Sequence, residues 1–195
     1  VMTGLGRTGA WFAMEHWGVE PDIMTLGKGL GAGYTPMAAT VVSDRVMEPI
    51  LRGSRSVMSG HTLSANPLSA ATALAVIEYM EKHNLPEKTA EKGEYLIKGL
   101  QKVQQQSTII ADVRGKGLLI GVELQPFTKA SELISVAAKN GLLLYQAVSG
   151  QAGKEDSALL VAPPMTTTYS ELDELLSIFA KSVEEMMQKG GHSIA

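Results

Sequence analysis

Lys28 stands between Gly27 and Gly29, directly after the apolar run Ile23-Met24-Thr25-Leu26. A lysine at the end of a buried strand is unusual, because a desolvated ammonium is costly and its pKa falls. An amine pushed toward its neutral form is what Schiff-base chemistry with an aldehyde requires. Glycine on both sides lets a flat ligand approach the backbone closely. A solvated loop lysine is the more ordinary source of the same local features, and on those features alone both readings stay open.

Two other glycine motifs suggest phosphate chemistry and fail on spacing. Gly27-Lys28 would belong to a phosphate loop only with a glycine five positions before Gly27 and Ser or Thr after the lysine; Asp22 and Gly29 occupy those places. Gly4-Leu5-Gly6-Arg7-Thr8-Gly9 matches the dinucleotide pattern G-x-G-x-x-G. That fingerprint needs an acidic residue about 20 positions on, at the end of the next strand. Glu20 and Asp22 come too early and precede the next apolar run. A tight turn needing positive φ angles is the better account of Gly4–Gly9. The histidines His16, His61, His83 and His192 are scattered without ligand spacing, so no metal site is expected, and Arg7 and Arg114 read as structural residues near glycine turns. Lys116 sits in an expected hairpin turn, where a solvated charge is the default.

The elements that must position these residues follow from pattern. A short helix is expected over Trp11 to Trp17, closed by Gly18, and strands over Ile23–Leu26 and Met37–Val42, flanked by glycine and proline. Ser43 or Asp44 can cap a helix reaching about Leu51. Asn66-Pro67 opens a longer helix, with proline at the first helical position, where its missing N–H costs nothing. Through Leu68, Ala71, Leu74, Ile77 and Met80 that helix is apolar on nearly every face, so it needs cover from another domain or a partner chain. The composition changes near Asn84-Leu85-Pro86. The helix Glu87–Gln106 then carries one apolar stripe, Tyr95, Leu96, Leu100 and Val103. Strands fit Ile109–Arg114 and Leu118–Leu124 around Gly115-Lys116-Gly117, then a helix Ser131–Asn140, a strand Leu142–Tyr145, a polar loop Gly150–Ser157 and a strand Leu159–Ala162 before Pro163-Pro164. Thr168 and Glu171 form a capping box for a last helix marked by Leu172, Leu175, Leu176, Phe179, Val183, Met186 and Met187 at helical spacing. The reading is an α/β piece over residues 1–86 followed by a small α+β domain over 87–195.

Bulk properties narrow the function. At 45% apolar and 19% charged over 195 residues the chain has the composition of a globular protein rather than a disordered one. A net charge of -3 without a basic run gives no reason to expect nucleic-acid binding. No apolar stretch approaches the roughly 20 residues of a membrane span. The absence of cysteine removes disulfides, thiolate metal sites and cysteine nucleophiles, and suits a cytoplasmic setting.

The segment Glu20-Pro21-Asp22-Ile23-Met24-Thr25-Leu26-Gly27-Lys28-Gly29, followed by Gly33-Tyr34-Thr35-Pro36-Met37-Ala38-Ala39, resembles the cofactor-lysine region of class III aminotransferases. Val1 to Gly9 looks like the stretch just after that family's acidic pair. Gly60-His61-Thr62-Leu63-Ser64-Ala65-Asn66-Pro67-Leu68 is similar to its His-Thr-x-x-x-Asn-Pro segment, and Arg114-Gly115-Lys116-Gly117-Leu118 and Ala162-Pro163-Pro164 to small-domain landmarks. The resemblance keeps family order along the whole chain. It implies a pyridoxal-phosphate (PLP) enzyme of fold type I: part of a large α/β domain with a mostly parallel sheet, a small C-terminal α+β domain, and a homodimer. It implies that Lys28 is the catalytic lysine, bound to the cofactor as a Schiff base and, once freed, carrying the proton between substrate and cofactor carbons. It implies that Thr62 binds the cofactor phosphate in the neighbouring subunit. By residue type alone Thr62 is an ordinary turn threonine.

By the same resemblance, the family's aspartate for the pyridine nitrogen would fall two residues before Val1, so the 195-residue chain alone is expected to lack transaminase activity. Many members acting on α-amino acids carry an arginine where this chain has Leu160, and no arginine follows Arg114. The implied substrates are therefore an amine or ω-amino acid donor and a keto-acid acceptor. An aminomutase or decarboxylase of the same family is the alternative, and outside enzymology so is a structural or dimerisation unit.

Overall fold

The computed structural model describes residues 1–147 and 156–190; most of the loop expected over Gly150–Ser157, and His192, lie outside the described residues. The chain divides into two compact units, Val1–Glu87 and Lys88–Ala195.

The first unit opens with the glycine turn. Positive φ at Leu5, Gly6 and Gly9 and the bonds from Arg7 N–H to the Gly4 carbonyl and Gly9 N–H to the Gly6 carbonyl fold residues 4–9 on themselves. The helix expected over Trp11–Trp17 is a five-residue 3-10 helix, Ala13–Trp17, ended by Gly18 at φ 62°. Strand β1 (Ile23–Leu26) pairs antiparallel with β2 (Ala39–Val42), Ile23 opposite Val42 and Leu26 opposite Ala39. The second strand starts at Ala39 rather than Met37, two residues clear of Pro36, which has no N–H to give a ladder. The expected burial of β1 is not supplied by this unit: Ile23 is 57% exposed.

Helix α1 (Asp44–Arg52) has Ser43 at its N-cap position, yet no side-chain cap bond forms there. The Ser43 hydroxyl donates instead to Asp22 Oδ1 at 2.9 Å, and Arg45 Nε donates to the same oxygen at 2.8 Å. Helix α2 (Pro67–Lys82) starts as the sequence suggests, the Asn66 side chain accepting from Ser69 N–H at 3.1 Å. Only Ala73 and Met80 of α2 are buried, while Leu68, Leu74 and Tyr79 are exposed, so the first unit leaves most of this apolar helix bare.

Helix α3 (Leu85–Gln105) continues into the second unit, whose centre is a four-stranded antiparallel sheet in the order β3-β4-β6-β5. The strands are β3 (Ile110–Lys116), β4 (Leu119–Leu124), β5 (Tyr145–Ala147) and β6 (Ala158–Val161). Alternation works here as strand geometry requires: Ile120, Val122, Leu124, Leu159 and Val161 are buried on one face with Val113. They form one cluster with Leu96 and Leu100 of α3, Leu133 of α4 (Ala130–Lys139), and Leu172, Phe179 and Val183 of α5 (Tyr169–Gly190). The Thr168–Glu171 capping box is present in both directions, the carboxylate accepting from Thr168 N–H at 2.7 Å and the Thr168 hydroxyl accepting from Glu171 N–H at 3.3 Å. The start of α4 is held from a distance: Ser131 N–H donates to Asp156 Oδ1 at 2.7 Å. No helix among the described residues is long and apolar enough to cross a membrane.

Candidate functional site

Strand β1 delivers Lys28 into a tight turn. Gly27 is fully extended, and Lys28–Gly31 winds as a 3-10 helix closed by Leu30 N–H to the Gly27 carbonyl and Ala32 N–H to the Gly29 carbonyl, each at 3.1 Å. Tyr34 N–H to the Gly31 carbonyl at 2.8 Å adds a further turn. Lys28 itself has φ 48° and Ala32 φ 46°, both in the left-handed region that L residues with a Cβ avoid at a cost of roughly 1–2 kcal/mol each. Such conformations persist where the surroundings over-determine them, and they concentrate at functional positions.

Three attachments hold this turn within the first unit. A Cβ built on Gly27 would lie 3.6 Å from Val1 Cγ1, and one on Gly29 would lie 3.6 Å from Leu5, a buried residue of the glycine turn. The glycine turn is therefore packed beside Gly29, the residue that follows the lysine. On the other side the turn packs against α2, where Thr35 Oγ1 meets Ser69 Oγ at 2.9 Å. Upstream, the Asp22 carboxylate is engaged by both Arg45 Nε and Nη2 and by the Ser43 hydroxyl, and these bonds, those of Arg45 foremost, hold its pKa below the usual carboxylate range. Asp22 thus fixes the entry to β1 and is not spare for chemistry.

The Lys28 side chain is exposed, and its amine has no hydrogen-bond or ion-pair partner among the described residues. The burial expected for it is absent from this unit, for the reason that leaves Ile23 bare: β1 has a single partner strand. Thr62 is also exposed, in a turn where Ser64 N–H donates to the His61 carbonyl at 2.9 Å and His61 N–H to the Ser64 hydroxyl at 3.2 Å. Its own hydroxyl has no partner among the described residues. A free primary amine and a free hydroxyl donor are the groups that an aldehyde and a phosphate would need, so the residues present fit pyridoxal phosphate. No hydrogen bond links Thr62 to Lys28 among the described residues.

Other candidates resolve into structure. His16 Nε2 donates to the Thr8 carbonyl at 3.0 Å, and His83 stacks on Tyr79 at 4.2 Å. No group of residues that could hold a metal ion is found among the described residues. Arg7 is half-buried, and burial lowers its pKa from the ordinary arginine value. Arg114 is bonded to Asp112 at 2.6 Å and Glu123 at 2.8 Å. Lys116 is exposed at the end of β3. Leu160 lies in β6 between Gly121 and Tyr145. The Thr35–Ser69 pair carried no sequence signal, since both are common residues 34 positions apart.

Comparison with known proteins converges on one family. Residues 1–183 match the family model described as Aminotransferase class-III. An uncharacterized aminotransferase, YodT, of Bacillus subtilis (strain 168) is 47% identical over 194 residues, covering 94% of this chain and 44% of that protein. A leucine/methionine racemase of Thermococcus litoralis is 36% identical over 196 residues, covering 95% of this chain and 41% of that protein. A transaminase crystal structure from the marine bacterium Virgibacillus superposes with a TM-score of 0.90 at 31% identity, covering 97% of this chain and 44% of that one. The chain thus spans less than half the length of these relatives, and its fold is the α/β fold of the type I PLP-dependent transaminases.

Proposed function

The chain belongs to the class III aminotransferase family, and we propose that it serves a PLP-dependent transaminase in which Lys28 is the catalytic amine. The observation that carries this reading is the Lys28 turn: an unpaired amine on a strained, left-handed residue, braced on two sides at the end of a strand. In this reading the first unit is part of the large cofactor-binding domain and the second is the small C-terminal domain.

Pyridoxal phosphate, when bound, supplies the electron sink of the reaction. Lys28 would hold it through its amine and, once displaced by an amino substrate, would act as the base that moves the proton. Thr62 would hold the phosphate through its hydroxyl, serving the site of a neighbouring copy. A homodimer fits the exposed Leu68, Leu74 and Tyr79 of α2, an apolar surface that a second copy would cover. The lack of cysteine favours the cytoplasm.

The donor is an amine or ω-amino acid and the acceptor a keto acid. Leu160 offers no charge where many family members acting on α-amino acids place an arginine, and the guanidinium of Arg114 is already shared by two carboxylates. A bidentate carboxylate clamp needs a free guanidinium. An amino-acid racemase among the relatives favours, as a second reading, chemistry that keeps the amino group on its substrate; dependence of turnover on an added keto acid separates the two. The test of the lysine is borohydride reduction of the PLP-loaded protein followed by peptide mass mapping. The cofactor mass is expected on the peptide containing Lys28, and an adduct on any other lysine overturns the assignment.

A further inference from the structure

Resting on the reading of Lys28 as the cofactor lysine, we infer that Thr35 and Ser69 form a positioning pair that holds the Lys28 turn at a fixed place on α2. Thr35 has two roles set by its branched side chain. Its methyl sits over the turn, so close that a Cβ on Gly31 would lie 3.3 Å from Thr35 Cγ2. Its hydroxyl reaches the Ser69 hydroxyl at 2.9 Å in a partly buried contact.

Ser69 is itself anchored. It lies in the first turn of α2, where its N–H donates to the Asn66 side chain at 3.1 Å, so the N-cap that starts the helix also orients the serine. Thr35 is tied to the lysine through a continuous series of turns, from Gly27 through Leu30, Ala32 and Tyr34. The path from the rigid helix to the strained lysine is therefore short. Lys28 and Ala32 both sit in the left-handed region, which a free loop would leave by rotating φ. Fixing Thr35 denies the loop that rotation at its C-terminal end, and Leu5 lies beside Gly29 on the other side.

Serine and threonine differ by a methyl and share the hydroxyl, which allows a clean test. Ser69→Ala and Thr35→Val remove one hydroxyl each without adding bulk, and Ser69→Thr keeps the hydroxyl while adding only a methyl. Hydrogen–deuterium exchange of the Gly27–Tyr34 peptide is measured in the cofactor-free protein, and the midpoint of the pH titration of the visible absorbance in the PLP-loaded protein. Ser69→Ala and Thr35→Val are expected to raise exchange in that peptide by about fivefold, the scale of one net hydrogen bond, and to move the titration midpoint. Ser69→Thr is expected to match the wild type in both. Unchanged exchange in both hydroxyl-removing variants overturns the inference. So does raised exchange with an unmoved midpoint, which would make the pair merely structural, and so does a Ser69→Thr protein that behaves like Ser69→Ala. If borohydride instead traps another lysine in the wild type, the cofactor reading fails, while the exchange arm still reports on the clamp.

Discussion

Gly93 occupies the buried stripe of α3 with Thr89, Leu96 and Leu100, and it touches backbone. A Cβ added there would stand 2.4 Å from the Gly117 carbonyl oxygen and 2.5 Å from Gly117 Cα. Gly93→Ala therefore sets two effects against each other. Alanine improves helix propensity by about 1 kcal/mol. Against this, α3 or the β3–β4 turn must move to restore contact distance, and overpacking costs typically about 1–3 kcal/mol, more when the obstacle is rigid. Here it is rigid: Gly117 has φ 52° and Gly115 φ 158°, and Gly115 and Lys116 are paired with Ile120 and Leu119. The clash is expected to win with a net loss of about 2 kcal/mol, which lowers the urea midpoint by roughly 1 M at an ordinary slope. Gly99→Ala is the control. Its Cβ would also meet atoms from 2.4 Å, but these are Leu176 Cδ1, Cδ2 and Cγ, a partly buried side chain that can turn to another rotamer where a backbone cannot. That variant should fall close to wild type. Urea denaturation followed by far-ultraviolet circular dichroism reads both. A Gly93→Ala protein as stable as wild type, or less affected than Gly99→Ala, would refute the claim that the distance to an immovable backbone sets the penalty.

The Lys28 backbone gives a second test. Lys28→Gly and Lys28→Ala both remove the amine, but only glycine accepts φ 48° without strain. The gain of roughly 1–2 kcal/mol, less about 0.5–1 kcal/mol of extra chain entropy, leaves Lys28→Gly the more stable of the two by up to about 1.5 kcal/mol. Thermal melts that rank alanine above glycine would show that the left-handed turn is not strained. The α5 cap gives a third. Bonds from the Thr168 N–H and hydroxyl lower the Glu171 pKa. A carboxyl whose folded pKa is depressed contributes stability that is present above its unfolded value, about 4.3, and is lost as pH falls through the folded value. Glu171→Gln should therefore flatten the acid limb of the stability curve below that point, and an acid limb of wild-type steepness in the variant would exclude the cap as its source.

Elements fixed by local pattern were legible in the sequence. The Thr168–Glu171 box, the Asn66-Pro67 start and the stripe through Leu172, Phe179 and Val183 each depend on residues within a few turns of one another, and each appears in the structure. What depended on distant partners was not. Ser43 has the chemistry of a cap, but Asp22 lies 21 residues away in sequence and takes its hydroxyl. Asp156 holds the start of α4 from 25 residues downstream of Ser131. Periodicity reports which residues prefer to be covered and says nothing of what covers them: β1 reads as a buried strand and is half bare in this unit, while α2, which reads as needing cover from another domain or a partner chain, is largely bare here.

The site divides along the same line. A lysine between glycines at a strand end is a local signal, because the proposed Schiff-base chemistry would need that residue type at that place. The left-handed backbone of Lys28 is not a local signal, since Gly27 and Gly29 supply the freedom that would ordinarily make such strain unnecessary. Under the proposed function, the strain sits on the one residue between them that could not be glycine, since it would have to carry the amine. A backbone held there against its preference has to be held by something, and the partners found are a methyl over Gly31, a hydroxyl on α2 and Leu5 beside Gly29. None of these residue types is rare, so their role follows from where the fold puts them and not from what they are.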